Sequence, residues 1–143
     1  MAESSRHHAR ELVLQAMYAS EVGEVDAEAS LDGLIDASTL GLRHAEFARG
    51  LLGQVLQYGE EADQTIRELA EHWQLERIAT IDRLILRLAM TELRVLPDTP
   101  VKVVLNEAIE LAKTYSTGQS SAFVNGILDQ FIRRGEGMTG TPD

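Results

Sequence analysis

The sequence predicts an all-α protein. Apolar side chains recur every three to four residues along most of the chain, β-branched residues seldom alternate with polar ones, and the three prolines stand only at 97, 100 and 142. A first helix is expected to open after Ser4 or Ser5, either a good N-cap, and to place Ala9, Leu12, Val13, Ala16 and Met17 on one face before Gly23 ends it. A weaker helix follows from about Glu28 to Ala37, with Leu31, Leu34 and Ile35 inward and Gly33 working against it, and Gly41 marks a turn. From Arg43 to Trp73, Phe47, Leu51, Leu52, Val55, Leu56, Ile66, Leu69 and Trp73 keep the helical period across Gly59. That stretch reads as one long helix bent at Gly59 or as two in succession.

Residues 77–95 repeat the pattern with Ile78, Ile81, Ile85, Leu88 and Met90, and Pro97 stops it. In the next helix Thr99 is the expected N-cap with Pro100 at the first helical position, where a missing N–H costs nothing, and Gly118 closes it. The last helix runs from about Ser120 to Arg134, burying Phe123, Val124, Ile127, Leu128 and Phe131. Residues 1–134 thus read as a single domain, and GEGMTGTPD, residues 135–143, reads as a disordered tail.

A chain of 143 residues that is 44% hydrophobic is long enough for one domain burying roughly 68–70% of its unfolded surface. No run of 18 apolar residues and no apolar signal segment occurs, so the expected compartment is the cytoplasm, with no membrane association. The absence of cysteine excludes disulfides, thiolate zinc sites and cysteine nucleophiles. A formal charge of −10 argues against general coating of nucleic acid, so any such site must be local.

No Glu-x-x-His pair, H-E-x-x-H, Walker loop or G-x-S-x-G elbow is present, so no enzyme, metal or cofactor site is expected. Glu68 and His72 make a lone i,i+4 pair that reads as solvated surface. Residues 21–36 carry six carboxylates and no lysine or arginine, which fits either a solvated face or a docking surface for a basic partner, while Arg83 and Arg87 form one basic ridge. Asn106, Glu107 and Asn125-Gly126 read as structural, with buried amides tying helices and the glycine permitting close approach. The cluster SSRHHAREL is more pointed. Arg6 and Arg10 are helical neighbours, and cations there oppose the helix dipole, so helix stability does not explain them; arginine forks suit phosphate.

The segment PVKVVLNEAIELAKTYSTGQSSAFVNGILDQFIRR resembles the C-terminal half of the NusB family of bacterial transcription antitermination factors, chiefly in N-E-A-I-E-L-A-K and F-V-N-G-I-L-D. ARELVLQAMYAS looks like that family's first helix and IDRLILRLAMTELRVLPDTP like its following signature. The resemblance implies about seven helices in two small subdomains and a non-enzymatic role. It implies binding of single-stranded boxA RNA in nascent ribosomal-RNA transcripts together with NusE, a small-subunit ribosomal protein, in the transcribing RNA polymerase complex. It further implies RNA contacts at Arg6, His7, His8, Arg10, Tyr18, Tyr115, Ser120 and Phe123. Phosphate-binding cations beside aromatic faces are what single-stranded RNA needs, although the spacing of Phe123 to Ile127 fits core packing equally. The contrasting expectation is a protein-interaction module or homodimer that binds no RNA directly.

The sequence departs from the family at His7 and His8, where relatives often carry arginines, and at Ala122, where some carry a basic residue. Histidine ordinarily titrates near pH 6.5, so these positions add charge mainly on acidification. RNA is therefore expected to bind more tightly at pH 6 than at pH 8 in a titration at constant salt; a flat profile would remove the histidines from the contact.

Overall fold

The computed structural model describes residues 2–71, 78–96 and 98–135. Over these it is all-helical: α1 (Ala2–Gly23), α2 (Ala27–Asp36), α3 (Leu42–Leu69), α4 (Thr80–Val95), α5 (Val101–Tyr115) and α6 (Ser120–Arg133). His72, Trp73, Pro97 and the tail beyond Gly135 lie outside the described residues, and with them the expectations attached to those positions. No described helix is long and apolar enough to cross a membrane. Among the described residues six helices stand where about seven were expected, and the stretch around Gly59, which could have been one helix or two, is one continuous helix. Glycine costs a helix interior about 1 kcal/mol relative to alanine, but a Cβ at Gly59 would lie 3.2 Å from Nη1 of Arg87. The missing side chain lets that guanidinium lie against the α3 backbone.

The chain divides into two compact units, Met1–Leu56 and Gln57–Asp143. In the first, α1 packs on α2, and Ala9, Leu12, Val13, Ala16 and Met17 are all buried, as their spacing predicts. Ser4 and Ser5 are inside α1 and do not cap it; serine costs a helix only tenths of a kcal/mol, so the helix extends back past them. The chain leaves α1 through Glu24, whose φ of 58° lies in the left-handed region that glycine normally occupies. Helix α2 starts before Glu28 because Asp26 is its N-cap, a carboxylate oxygen accepting from the Ala29 amide at 2.9 Å. An exposed Arg49–Asp32 pair at 2.9 Å joins α3 to α2.

In the second unit α4 packs on both α5 and α6, which pack on each other. From Asp82 to Leu93 all but two side chains of α4 are buried, including Leu84, Ile85, Leu86, Leu88 and Met90. A helix apolar nearly all round is a central one. Helix α5 begins one residue later than expected: Pro100 is extended and acts as the cap, its carbonyl accepting from Val103 and Val104. Gly118 lies beyond its end, in the turn to α6. Helix α6 buries Val124, Ile127, Leu128 and Phe131, whereas Phe123 is half-buried. Asn106, Asn125 and Gly126 are exposed, and a Cβ at Gly126 would meet nothing within 4 Å. The expectation of buried amides and a close approach there is corrected, since the close approach is at Gly59.

The basic ridge of Arg83 and Arg87 is not an open one. Asp63 of α3 takes both guanidiniums, Arg87 Nη2 at 2.6 Å and Arg83 Nη1 at 3.4 Å, with the three side chains only 17–20% exposed. Nearby, Arg94 pairs with Glu61 at 3.1 Å and stacks on the Tyr58 ring at 4.7 Å. At the end of α6, a hydrogen bond from Arg134 and a second from Gln64 hold the Glu68 carboxyl below the usual carboxylate range. That contribution is present at neutral pH and is lost as the pH falls through the lowered value. Removing the shared carboxylate leaves two half-buried cations facing each other. Asp63→Ala is therefore expected to lower the unfolding free energy by about 2–3 kcal/mol, the partial exposure reducing the cost of breaking a buried pair. A fall in the urea midpoint with unchanged slope checks it.

Candidate nucleic-acid interface

The first unit presents its candidate residues along α1. Arg6 is exposed and its guanidinium carbon sits 4.3 Å above the centroid of Phe47, on α3. Arg10, one turn on, is only 3% exposed and lies 5.3 Å above the same ring. Of the two arginines, Arg6 is the one open to solvent, while Arg10 is stacked within the fold. His7 and His8 converge on one carboxylate, Glu11, at 3.7 and 3.5 Å. Tyr18 is 43% exposed, eight residues beyond Arg10 and so about 12 Å along the helix at 1.5 Å per residue. The N-terminal half of α1 thus offers a stacked cationic pair, two titratable rings and, farther along, an open aromatic face.

Two participants here escaped sequence reasoning. Glu11 was detectable from its i,i+4 and i,i+3 spacing to the histidines, and it limits the net charge they bring to the surface. Phe47 fitted the apolar register of α3 so well that it read as core, yet it is half-buried and faces two guanidiniums. A ring quadrupole attracts such cations by about 0.5–2 kcal/mol, more as the site is desolvated.

The second unit carries Tyr115, Ser120 and Phe123 around the turn from α5 to α6. Tyr115 ends α5 and Phe123 lies one turn into α6, both half-buried. Ser120 is only 4% exposed. Its hydroxyl donates to Oδ2 of Asp82, on α4, at 2.7 Å, and sits 2.8 Å from the Ser116 hydroxyl and 3.2 Å from that of Thr117. A hydroxyl has one proton, already committed to Asp82, so Ser116 and Thr117 must donate to Ser120. The side chain of Ser120 therefore fixes the turn to α4 and offers no free group to a ligand; Asp82, the residue that anchors it, stands second in the block IDRLILRLAMTELRVLPDTP, but nothing local in the sequence singles it out. The other oxygen of Asp82, Oδ1, has no hydrogen-bond partner among the described residues. Among the described residues no group of three or more histidines and carboxylates gathers as a metal site would require.

Residues 7–133 match the family model described as the NusB family. A protein of Salinibacter ruber named transcription antitermination protein NusB is 44% identical over 135 residues, which cover 90% of this chain and 81% of the relative. The structure of T. maritima NusB superposes with a TM-score of 0.83 at 36% identity, covering 90% of each chain. A chain in a crystal structure of the antitermination factors NusB and NusE in complex with dsRNA aligns with a TM-score of 0.81, covering 92% of this chain and 98% of its own, and at 22% identity the likeness is one of fold.

Without the Ser120 hydroxyl, a buried carboxylate oxygen loses its donor, a loss worth about 1–3 kcal/mol. Ser120→Ala is expected to destabilise the protein by that amount in urea melts, and a neutral result would detach the turn from Asp82.

Proposed function

The chain belongs to the NusB family, and from that premise we propose that it is a transcription antitermination factor, binding the boxA element of nascent ribosomal-RNA transcripts together with the ribosomal protein NusE and so modifying the transcribing RNA polymerase complex. The observation that carries this reading is the α1 surface. Arg6 and Arg10 gather on one ring, with Tyr18 open two turns away, in a protein otherwise of charge −10. Phosphates are attracted to the cations, and an unstacked base laid on an exposed ring gains about 1–3 kcal/mol. Tyr115 and Phe123 supply further aromatic surface at the α5–α6 turn. No step here makes or breaks a covalent bond; the protein assembles a complex.

An acidic chain with a small cationic site binds RNA weakly alone, and NusE supplies additional positive charge and contact area. The structure of NusB with NusE and dsRNA, which shares this fold, supports a joint RNA-binding unit. Single-stranded RNA is the substrate chosen here because stacking on Tyr18 needs an unpaired base.

The test is a gel-shift titration of a single-stranded boxA RNA with this protein, with NusE and with both, over a salt series and against a duplex competitor. The pair is expected to bind far more tightly than either protein, and the duplex to compete poorly. Each phosphate contact contributes about 0.7 to the logarithmic salt slope of single-stranded binding, so Arg6→Ala, which removes the exposed arginine, should lower the slope by about that much, whereas Arg10, only 3% exposed, is not placed to add a second contact. No gain in RNA binding on adding this protein to NusE would leave only an interaction module, and an unchanged slope would remove Arg6 from the site.

A further inference from the structure

We propose that Phe47 is a positioning residue of the RNA site: its ring holds the Arg6 guanidinium, with Arg10 beside it, in the orientation from which it binds phosphate. The proposal rests on the RNA-binding reading above and adds to it a residue that itself touches no RNA. A free arginine on a helix surface samples many rotamers, and each must be given up when it grips an anion. The Arg6 guanidinium carbon lies 4.3 Å above the Phe47 centroid and that of Arg10 5.3 Å, so the Arg6 guanidinium is held over the ring before any ligand arrives. Stacking engages the π face of a guanidinium and leaves its N–H fork in the plane, which is the edge that phosphate needs. A carboxylate in the place of Phe47 would hold the arginine equally well but occupy the fork and cancel the charge. The ring does neither. Arg10 is almost wholly buried while Arg6 is exposed, so Arg6 is the one that makes the contact.

The proposal is tested by titrating a single-stranded boxA RNA, in the presence of NusE and at fixed salt, with the full-length protein and its Phe47→Leu, Phe47→Tyr and Arg6→Ala variants and with the Phe47→Leu, Arg6→Ala double variant. Phe47→Leu is expected to weaken binding about fivefold, and Phe47→Tyr, which keeps the π face, by less than about twofold. In the Arg6→Ala background the effect of Phe47→Leu should shrink to less than about twofold, the coupling that a double-mutant cycle isolates. Phe47→Met is run alongside, so that a folding defect in the leucine variant, read by circular dichroism, leaves the comparison intact. A loss of the same size in both backgrounds, or a tyrosine variant as weak as the leucine one, overturns the proposal in favour of plain packing. Unaltered binding by Phe47→Leu alongside weakened binding by Arg6→Ala overturns it while the RNA-binding reading stands. Absence of RNA binding by the unaltered protein overturns both.

Discussion

Burying α4 on nearly every side is the constraint from which the second unit follows. A helix in that position needs apolar residues around most of its circumference, and residues 84–93 supply them. Its polar side chains are buried or mostly so and take partners within the protein, because an unpaired buried charge costs several kcal/mol. Arg83 and Arg87 find Asp63, and Asp82 finds Ser120. Each pairing dictates something on the neighbouring helix. Asp63 falls one turn after Gly59, where a Cβ would press on the Arg87 guanidinium at 3.2 Å. Ser120 must open α6, so the α5–α6 turn is pinned at the place where the aromatic pair Tyr115 and Phe123 flanks it.

The first unit solves a related problem by other means. Two arginines near the start of a helix repel each other and oppose its dipole, so the arrangement is unfavourable unless something compensates. The compensation is the face of Phe47, which stabilises cations without neutralising them. Glu11 is directed at the histidines, 3.7 and 3.5 Å from their rings. Arg6 thus stays exposed over the ring, while the imidazoles share a carboxylate.

The contrast between the two arginine clusters shows what the sequence alone conceals. Arg83 and Arg87 have the same i,i+4 spacing as Arg6 and Arg10, and both pairs read as basic ridges. One is closed by a carboxylate twenty and more residues away in sequence, the other rests on a ring. Spacing along a helix determines which side chains are neighbours on that helix. It carries no information about what the next helix brings opposite them.

The all-helical class, the bounds of α2, α5 and α6 to within about two residues, and the cores of α1 and α6 were legible because the apolar period and the turn residues are local signals. The family resemblance rested on the same kind of local blocks, residues 106–113 and 123–129. What tertiary structure decided was everything that depends on two distant segments meeting: that Gly59 and not Gly126 is the close-approach glycine, that Ser120 is an anchor bonded to Asp82, that Arg10 is buried while Arg6 is open, and that Phe47 is a platform. A one-dimensional pattern specifies which face of a helix turns inward. Which side chain waits there, and whether it cancels a charge or only steadies it, is settled when the helices pack.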